Sequence, residues 1–375
     1  MTAALAAAGA ISRNVTRRSD AISGETTDEA CGLAGAWPPA GAPAVSTTPS
    51  ARQTTQRKTT TVGRMIGGRL HTMKVVIAGG SGFLGRMLAA RLGADGHTVT
   101  TLTRSARPAG NGFVTWQPDG TTGDWARALE GADAVVNLSG ADLAERRWTQ
   151  ARKALLRSSR VLSTRSLVAA MRAVADRPAV FVQISGVAYY GASLSDTPHD
   201  ESFPPGDDFL SDLGVAWEAE ALPAAALGVR LVIVRSGVVL ARDGSALPRI
   251  RPSFRWFVGG PVGSGRQYFA WIHHDDWVAL ILWALTTPAV SGVVNATAPD
   301  TITYREFAAA FGRALSRPSW LPVPGFALRI LFGEMAELVL IRGQRVVSRR
   351  TQELGFTFRY PTIDEALGEI EAKTL

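Results

Sequence analysis

Cysteine is almost missing from this 375-residue chain. Its single representative, Cys31, lies in the N-terminal segment. One cysteine rules out an intrachain disulfide, and its position rules out cysteine-ligated metal and thiol catalysis in any domain beyond that segment. The count is compatible with a reducing, cytoplasmic compartment. Long apolar runs are missing too. The two best candidates are Trp277 to Leu285, which is short, and Phe326 to Ile341, which is interrupted by Arg329, Glu334 and Glu337. A membrane-spanning helix needs about 18 or more apolar residues in a row, so both read as amphipathic helices packed on a core. No basic cluster with interleaved aromatics argues for nucleic acid. Of the net charge of +8, half comes from the first 72 residues, where eight Lys/Arg face four Asp/Glu. Neither nucleic acid nor a membrane is therefore expected as a partner. A small-molecule substrate is expected, and a homodimer is compatible with the chain.

What is present is enough apolar residue, 46% of the chain, for one large domain or two small ones. Residues 1–72 are rich in Ala, Thr, Ser, Gly and Pro and read as a disordered extension. Arg13, Arg17 and Arg18 give its start a faint transit-peptide character, which Asp20, Glu25, Asp28 and Glu29 then dilute. From Met73 the pattern alternates. Short β-branched runs at 74–78, 98–103, 134–138, 180–185 and 230–235 predict buried strands, with a further short strand near 113–116. Helical patterns at 83–94, near 124–130, 149–175 and 211–227 fall between them. This predicts an α/β fold: a Rossmann-type doubly wound parallel sheet over 73–240. A late strand is expected near 292–297. Residues 241–375 are read mainly as a smaller C-terminal substrate lobe, with helices at 272–285, 304–315 and 324–340 and a polar end.

One stretch organises the rest. The run Lys74-Val75-Val76-Ile77-Ala78 leads into Gly79, Gly82 and Gly85 and then into a helix carrying Leu84, Leu88 and Leu92. Strand, glycine turn and helix form the first unit of a dinucleotide-binding fold. The first glycine permits the turn, the second lets a pyrophosphate approach the backbone, and the third lets helix pack on strand. Gly79, Ser81, Gly82, Phe83, Leu84 and Gly85 are thus candidate cofactor contacts, with the helix N-terminus offering free N–H groups to phosphate. The second strand ends at Thr103-Arg104-Ser105 rather than at an acid. A guanidinium there suits a 2′-phosphate, which points to NADP over NAD. Ser139 and Gly140 close the strand at 134–138 and are expected along the same crevice. Ser185 closes the next central strand, where a hydroxyl could bond a substrate carbonyl or alcohol. Arg266 and Gln267, in the glycine-rich loop 259–267, could meet a phosphate or carboxylate. The run His273-His274-Asp275-Asp276 invites a metal reading, but adjacent residues at a helix start point in different directions. No metal is expected, and Asp275 or Asp276 is expected to cap the helix.

The motifs GGSGFLGRML at 79–88, NLSGADL at 137–143, SGVAYYG at 185–191, DESFPPGDDFL at 200–210, WEAEA at 217–221, RSGVVL at 235–240 and GGPVGSGRQYFAWIHHDDWV at 259–278 resemble one group of proteins. These are the extended short-chain dehydrogenases/reductases, and within them the NAD-dependent epimerase/dehydratase-like branch of SDR39U1-type epimerase family proteins. The resemblance runs from about 74 to about 365 and implies a small C-terminal domain of unassigned function at about 320–368. It also implies that Trp271-Ile272-His273 closes the substrate site. Members of the superfamily use a Tyr-x-x-x-Lys pair on the helix after the serine strand. Here residues 209–218 hold neither residue. Tyr189 and Tyr190 lie in the loop after Ser185, where their rings could pack against the cofactor, and one of them, Tyr190 first, is the acid that could be recruited instead. Two readings stand at this point. One is an NADP-dependent oxidoreductase or epimerase-like enzyme acting on a small carbonyl or hydroxyl compound, nucleotide sugars included. The other is a catalytically degenerate NADP-binding regulatory or redox-sensing protein.

Overall fold

Seven segments line up side by side, and the central ones are buried because they are too β-branched and too continuous to sit half in water. The computed structural model describes residues 72–105 and 112–372, and the N-terminal extension lies outside them. The sheet strands are β1 (Lys74–Ala78), β2 (Thr98–Thr103), β3 (Phe113–Thr115), β4 (Ala134–Asn137), β5 (Val180–Gly186), β6 (Arg230–Ser236) and β7 (Gly292–Ala296). They are all parallel, in the order β7-β6-β5-β4-β1-β2-β3. The order reverses between β1 and β4, and it is there that a doubly wound sheet opens a crevice at the carboxyl ends of its strands. This is the Rossmann-type sheet that the alternating pattern predicts.

Successive residues of a strand face opposite sides. Val75 and Ile77 accordingly enter one core with Leu88 and Leu92 of α1 (Phe83–Ala94) and with Trp277 and Ile281. Val76 and Ala78 enter the other with Trp125, Leu129, and Leu167 and Met171 of α2 (Gln150–Ala173). Helix α3 (Phe209–Ala221) is capped by Asp208, whose carboxylate accepts from Leu210 and Ser211 N–H groups. The helix expected over 211–227 ends at Ala221, because Pro223 tightens Leu222–Leu227 into a 3₁₀ turn. The segment expected as a helix over 124–130 is likewise a 3₁₀ turn, Asp124–Leu129.

After β6 the chain adds α4 (Leu247–Arg255), α5 (His274–Thr286), α6 (Tyr304–Ala314), α7 (Gly325–Phe332) and α8 (Ile363–Ala372), of which α5 packs on the main sheet through Trp277 and Ile281. Three expectations are corrected here. The helix expected to begin at Ile272 begins at His274, because Trp271–His273 pair in parallel with Val238–Leu240 as a ribbon. The helix expected over 324–340 breaks at Gly333, which holds φ +61°, and continues as a turn and a π-helix, Glu337–Ile341. The polar end is an amphipathic helix, α8, whose Ile363, Ala366, Leu367 and Ile370 are buried against Phe307 and Phe311 of α6. Asp364 pairs with Arg313 at the surface, whereas Glu371 pairs with Arg251 in a largely buried contact. Among the described residues, no helix is long and apolar enough to cross a membrane.

Candidate functional site

At the reversal point, β1 delivers the glycine turn against the loop that leaves β4. Gly79 holds φ +79°, and a side-chain carbon there would lie 2.8 Å from the Leu138 carbonyl. Gly85 is closed in from the other side, with its missing carbon 2.4 Å from Gly80 Cα. Gly82 differs: its backbone is ordinary, and the nearest atom to a carbon placed there is Gly79 O at 3.3 Å. Its open side is the space above the turn. Gly82 caps α1 without any side-chain cap, and no acid occupies the helix's first turn. The N–H groups of Phe83, Leu84 and Gly85 are thus left for an anion. Ser81 and Gly82 are exposed, and the Ser81 carbonyl is held by Arg86 Nη1 at 2.6 Å.

The structure brings Ser139 and Gly140 beside this turn. Asn137, at the end of β4, accepts from Ser139 N–H and donates to Thr164 and Gln183. Ser139 Oγ is buried and makes no hydrogen bond within the protein. Arg160, on α2, backs the loop. It donates to the Ala141 carbonyl at 3.1 Å and sits against Gly140, and burial pushes its guanidinium down to about 10. Arg104 is exposed just past the end of β2. An uncapped helix start, a glycine face that a side-chain carbon would fill, and an orphaned hydroxyl beside it form a cradle that fits a dinucleotide phosphate.

Ser185 and Tyr190 are placed differently from what their motif suggests. Ser185 Oγ donates to Glu218 Oε1 at 2.6 Å, and Glu218 is held by Arg235 through Nε at 2.9 Å and Nη2 at 2.8 Å. Arg235 Nη1 donates to Tyr190 OH at 3.1 Å, and Tyr190 OH donates to Asn295 Oδ1 at 2.8 Å. All five residues are buried. Burial pushes the Tyr190 phenol up to about 12 despite the neighbouring guanidinium. Burial also works against the Arg235 charge, but the bonds and field of Glu218 more than offset it and leave the guanidinium above its ordinary value. The expectation that Ser185 and Tyr190 present hydroxyls to a substrate is therefore corrected: both are spent inside a brace that ties β5, α3, β6 and β7 together. Its signal in the sequence was a charge in each of two apolar settings, Arg235 at the end of RLVIVR and Glu218 in a helix of mostly apolar residues. A buried charge demands a partner.

Tyr189 is the tyrosine that solvent reaches. Its ring lies beside Gly214 of α3, where a side-chain carbon would meet it at 3.4 Å, and the Arg235 guanidinium sits 3.4 Å from its ring centre. Burial raises its phenol above the ordinary value, with Arg235 opposing.

The substrate candidates of residues 266–273 scatter. Arg266 is exposed. Gln267 is buried and donates to the carbonyls of Val262 and Leu340, so it braces its loop and does not open toward a substrate as expected. His273 is buried. Its Nδ1 accepts from Asp275 N–H at 3.1 Å, and its Nε2 meets Glu369 Oε2 at 3.1 Å. It is thus His273, not Asp275 or Asp276, that caps α5. Asp276 instead turns back to accept from the N–H groups of Arg359 and Tyr360. Ligand atoms of His273, His274 and Asp275 converge within 4.8 Å, closer than adjacent positions suggested, but both ring nitrogens of His273 are already engaged.

The pattern of the NAD dependent epimerase/dehydratase family matches residues 75–296, and a domain of unknown function, DUF1731, matches 323–370. An Arabidopsis thaliana protein called epimerase family protein SDR39U1 homolog, chloroplastic, is 42% identical over 304 residues, which cover 80% of this chain and 86% of that protein. The human epimerase family protein SDR39U1 is 39% identical over 304 residues, covering 80% and 100%. A crystal structure of the human protein (isoform2) with NADPH superposes with a TM-score of 0.73 at 38% identity, covering 80% of this chain and 99% of that one.

Proposed function

Because the chain belongs to the NAD dependent epimerase/dehydratase family, we propose that it binds NADP(H) in the crevice between β1 and β4 as an oxidoreductase or epimerase-like enzyme. The cradle carries this reading: an uncapped α1 N-terminus facing the open side of Gly82, with the unpartnered Ser139 hydroxyl beside it. The phosphates would lie on the N–H groups of residues 83–85, with Ser139 and Gly140 along the opposite wall. Arg104 would take the 2′-phosphate. The related human protein was crystallised with NADPH, which supports the same choice of cofactor. When bound, the nicotinamide supplies or accepts a hydride. The chain's own contribution would be to exclude water and to move a proton. Tyr189, rather than Tyr190, would serve that step, since solvent reaches it and the Arg235 cation over its ring opposes the upward push that burial gives its phenol. The substrate class is a small carbonyl or hydroxyl compound, and the setting is cytoplasmic.

A second reading, cofactor binding without turnover, has its own observation. The helix after β5 carries Gly214 pressed against Tyr189, with no lysine or tyrosine along it. Calorimetric titration with NADPH and NADH, followed by a carbonyl panel read at the nicotinamide absorbance, separates the two. Turnover lost in Tyr189→Phe supports the enzyme, tight binding with no turnover supports the second reading, and no binding of either cofactor removes both.

Two substitutions test the cradle itself. Arg104→Asp should weaken NADPH by about tenfold or more while leaving NADH nearly unchanged, since only one of the two carries the 2′-phosphate. An equal effect on both cofactors would remove the assignment. Gly82→Ala would bring its methyl 3.3 Å from Gly79 O, a tight contact that should cost a modest loss of melting temperature but no collision of the kind a side chain at Gly79 or Gly85 would meet. Its new methyl would stand in the phosphate space, and NADPH affinity should drop by about tenfold or more. An unaltered affinity would place the pyrophosphate elsewhere.

A further inference from the structure

We propose that the apolar face formed by Trp256, Phe257, Trp320, Leu321, Phe326 and Ile330 docks this protein on an anionic lipid surface. Large apolar side chains scattered singly over a surface need no explanation, but a cluster does. Here Trp256 is 79% exposed, Trp320 74%, Ile330 69% and Phe326 66%. Helix α7, sequence GFALRILF, has no buried residue at all. The two segments that bear the cluster are fastened together. Arg317 lies over the Phe257 ring, Gly260 is packed against the Leu321 backbone, and Val323 exchanges backbone hydrogen bonds with Pro261 and Gly263. Phe257 itself is held at φ +61°, which side chains larger than glycine rarely adopt, so the backbone is strained where the ring is presented.

Charge selects the occupant. Residues 245–260 and 313–333 contain six arginines and no Asp or Glu. Four of these arginines are paired with acids from elsewhere: Arg249 with Asp142, Arg251 with Glu371, Arg313 with Asp364 and Arg329 with Glu337. Arg255 and Arg317 remain at the border of the patch, with no carboxylate from either segment beside them. A second copy seated on this face would bring the same two arginines and no carboxylate from either segment to meet them. A bilayer with anionic headgroups meets both halves of the chemistry, with tryptophan and phenylalanine at the headgroup level and arginine on the phosphates. The expectation of no membrane partner rests on the lack of a spanning helix, and a helix that lies in the interface needs no such length.

The test is co-sedimentation of the full chain with vesicles of phosphatidylcholine alone and of phosphatidylcholine with phosphatidylglycerol, at low and high salt. Binding to the anionic vesicles, weaker binding to the neutral ones, and loss at high salt are expected. The double variant Phe326→Glu/Ile330→Glu should lower the partition at least about tenfold, and Arg317→Glu should lower it on anionic vesicles only. Retained NADPH affinity shows that the variants are folded. Failure to sediment, equal binding to both vesicles, or binding indifferent to the substitutions would each overturn the proposal. So would a dimer in sedimentation velocity that the same double variant dissolves, since that assigns the face to a second copy.

Discussion

Arg235→Met is expected to lower the free energy of unfolding by about 3–5 kcal/mol, read by urea denaturation. The guanidinium makes two bonds to Glu218 and one to Tyr190 in a region closed to water, and it lies against the face of Tyr189. Removing it strands the Glu218 carboxylate, whose other bond is from Ser185. Burying an uncompensated charge costs more than the ion pair contributes, so most of the loss is the penalty on Glu218. The double variant Glu218→Gln/Arg235→Met should therefore be more stable than the sum of the two single effects predicts, with a coupling of at least about 1 kcal/mol. Ser185→Ala, which deletes one hydrogen bond and leaves the ion pair whole, should cost only about 1 kcal/mol. Strict additivity of the charged pair, or a Ser185→Ala loss as large as that of Arg235→Met, would show that these groups do not act as a unit. The brace also seats Tyr189, so a folded Arg235 variant should show altered turnover if that tyrosine moves the proton.

The sheet was legible because burial on both faces leaves its central strands dominated by apolar, β-branched residues, with polar groups such as Asn137, Ser185 and Arg235 gathered toward the strand ends. The runs at 74–78 and 98–103 coincide with β1 and β2 residue for residue. The glycine turn was legible for the same kind of reason, since Gly79 and Gly85 stand where any side chain would collide. What escaped were features whose cause lies far along the chain. Helix α8 reads as polar because four acids share its ten residues, and only its apolar spacing at 363, 366, 367 and 370 betrays the buried side. Trp271–His273 looked like the first turn of a helix because its strand partner, Val238–Leu240, is some thirty residues away. Ser185 and Tyr190 looked catalytic because a hydroxyl at a strand's carboxyl end often is. The partners that absorb them, Glu218, Arg235 and Asn295, come from three other elements. The exposed face around Trp320 could not be read at all, since an apolar residue in a sequence is assumed to be inside until a fold leaves it out.

Stability should fall as pH drops from about 6.5 to about 4, by on the order of 3 kcal/mol, through His273 alone. Burial, reinforced by the charge of His274, holds this ring at about 4, against an ordinary value of 6.5. The hydrogen bonds give the reason an atomic form. Nδ1 accepts the Asp275 N–H and so must carry no proton, which leaves the proton on Nε2, facing Glu369. Protonating Nδ1 would turn the cap of α5 into two opposed N–H groups. A histidine whose folded value lies below its unfolded one binds more protons unfolded than folded through this window. Its contribution is thus whole above about pH 6.5 and is lost as pH falls toward 4. His273→Asn keeps an acceptor at the cap position and removes the titration. Chemical denaturation of both proteins at intervals from pH 7.5 to about 4 should give curves whose difference changes across that window and flattens above it, since carboxylates common to both largely cancel. A difference that stays constant would mean that His273 is already protonated in the fold, with Glu369 as its counter-ion, and that the α5 cap does not depend on its tautomer.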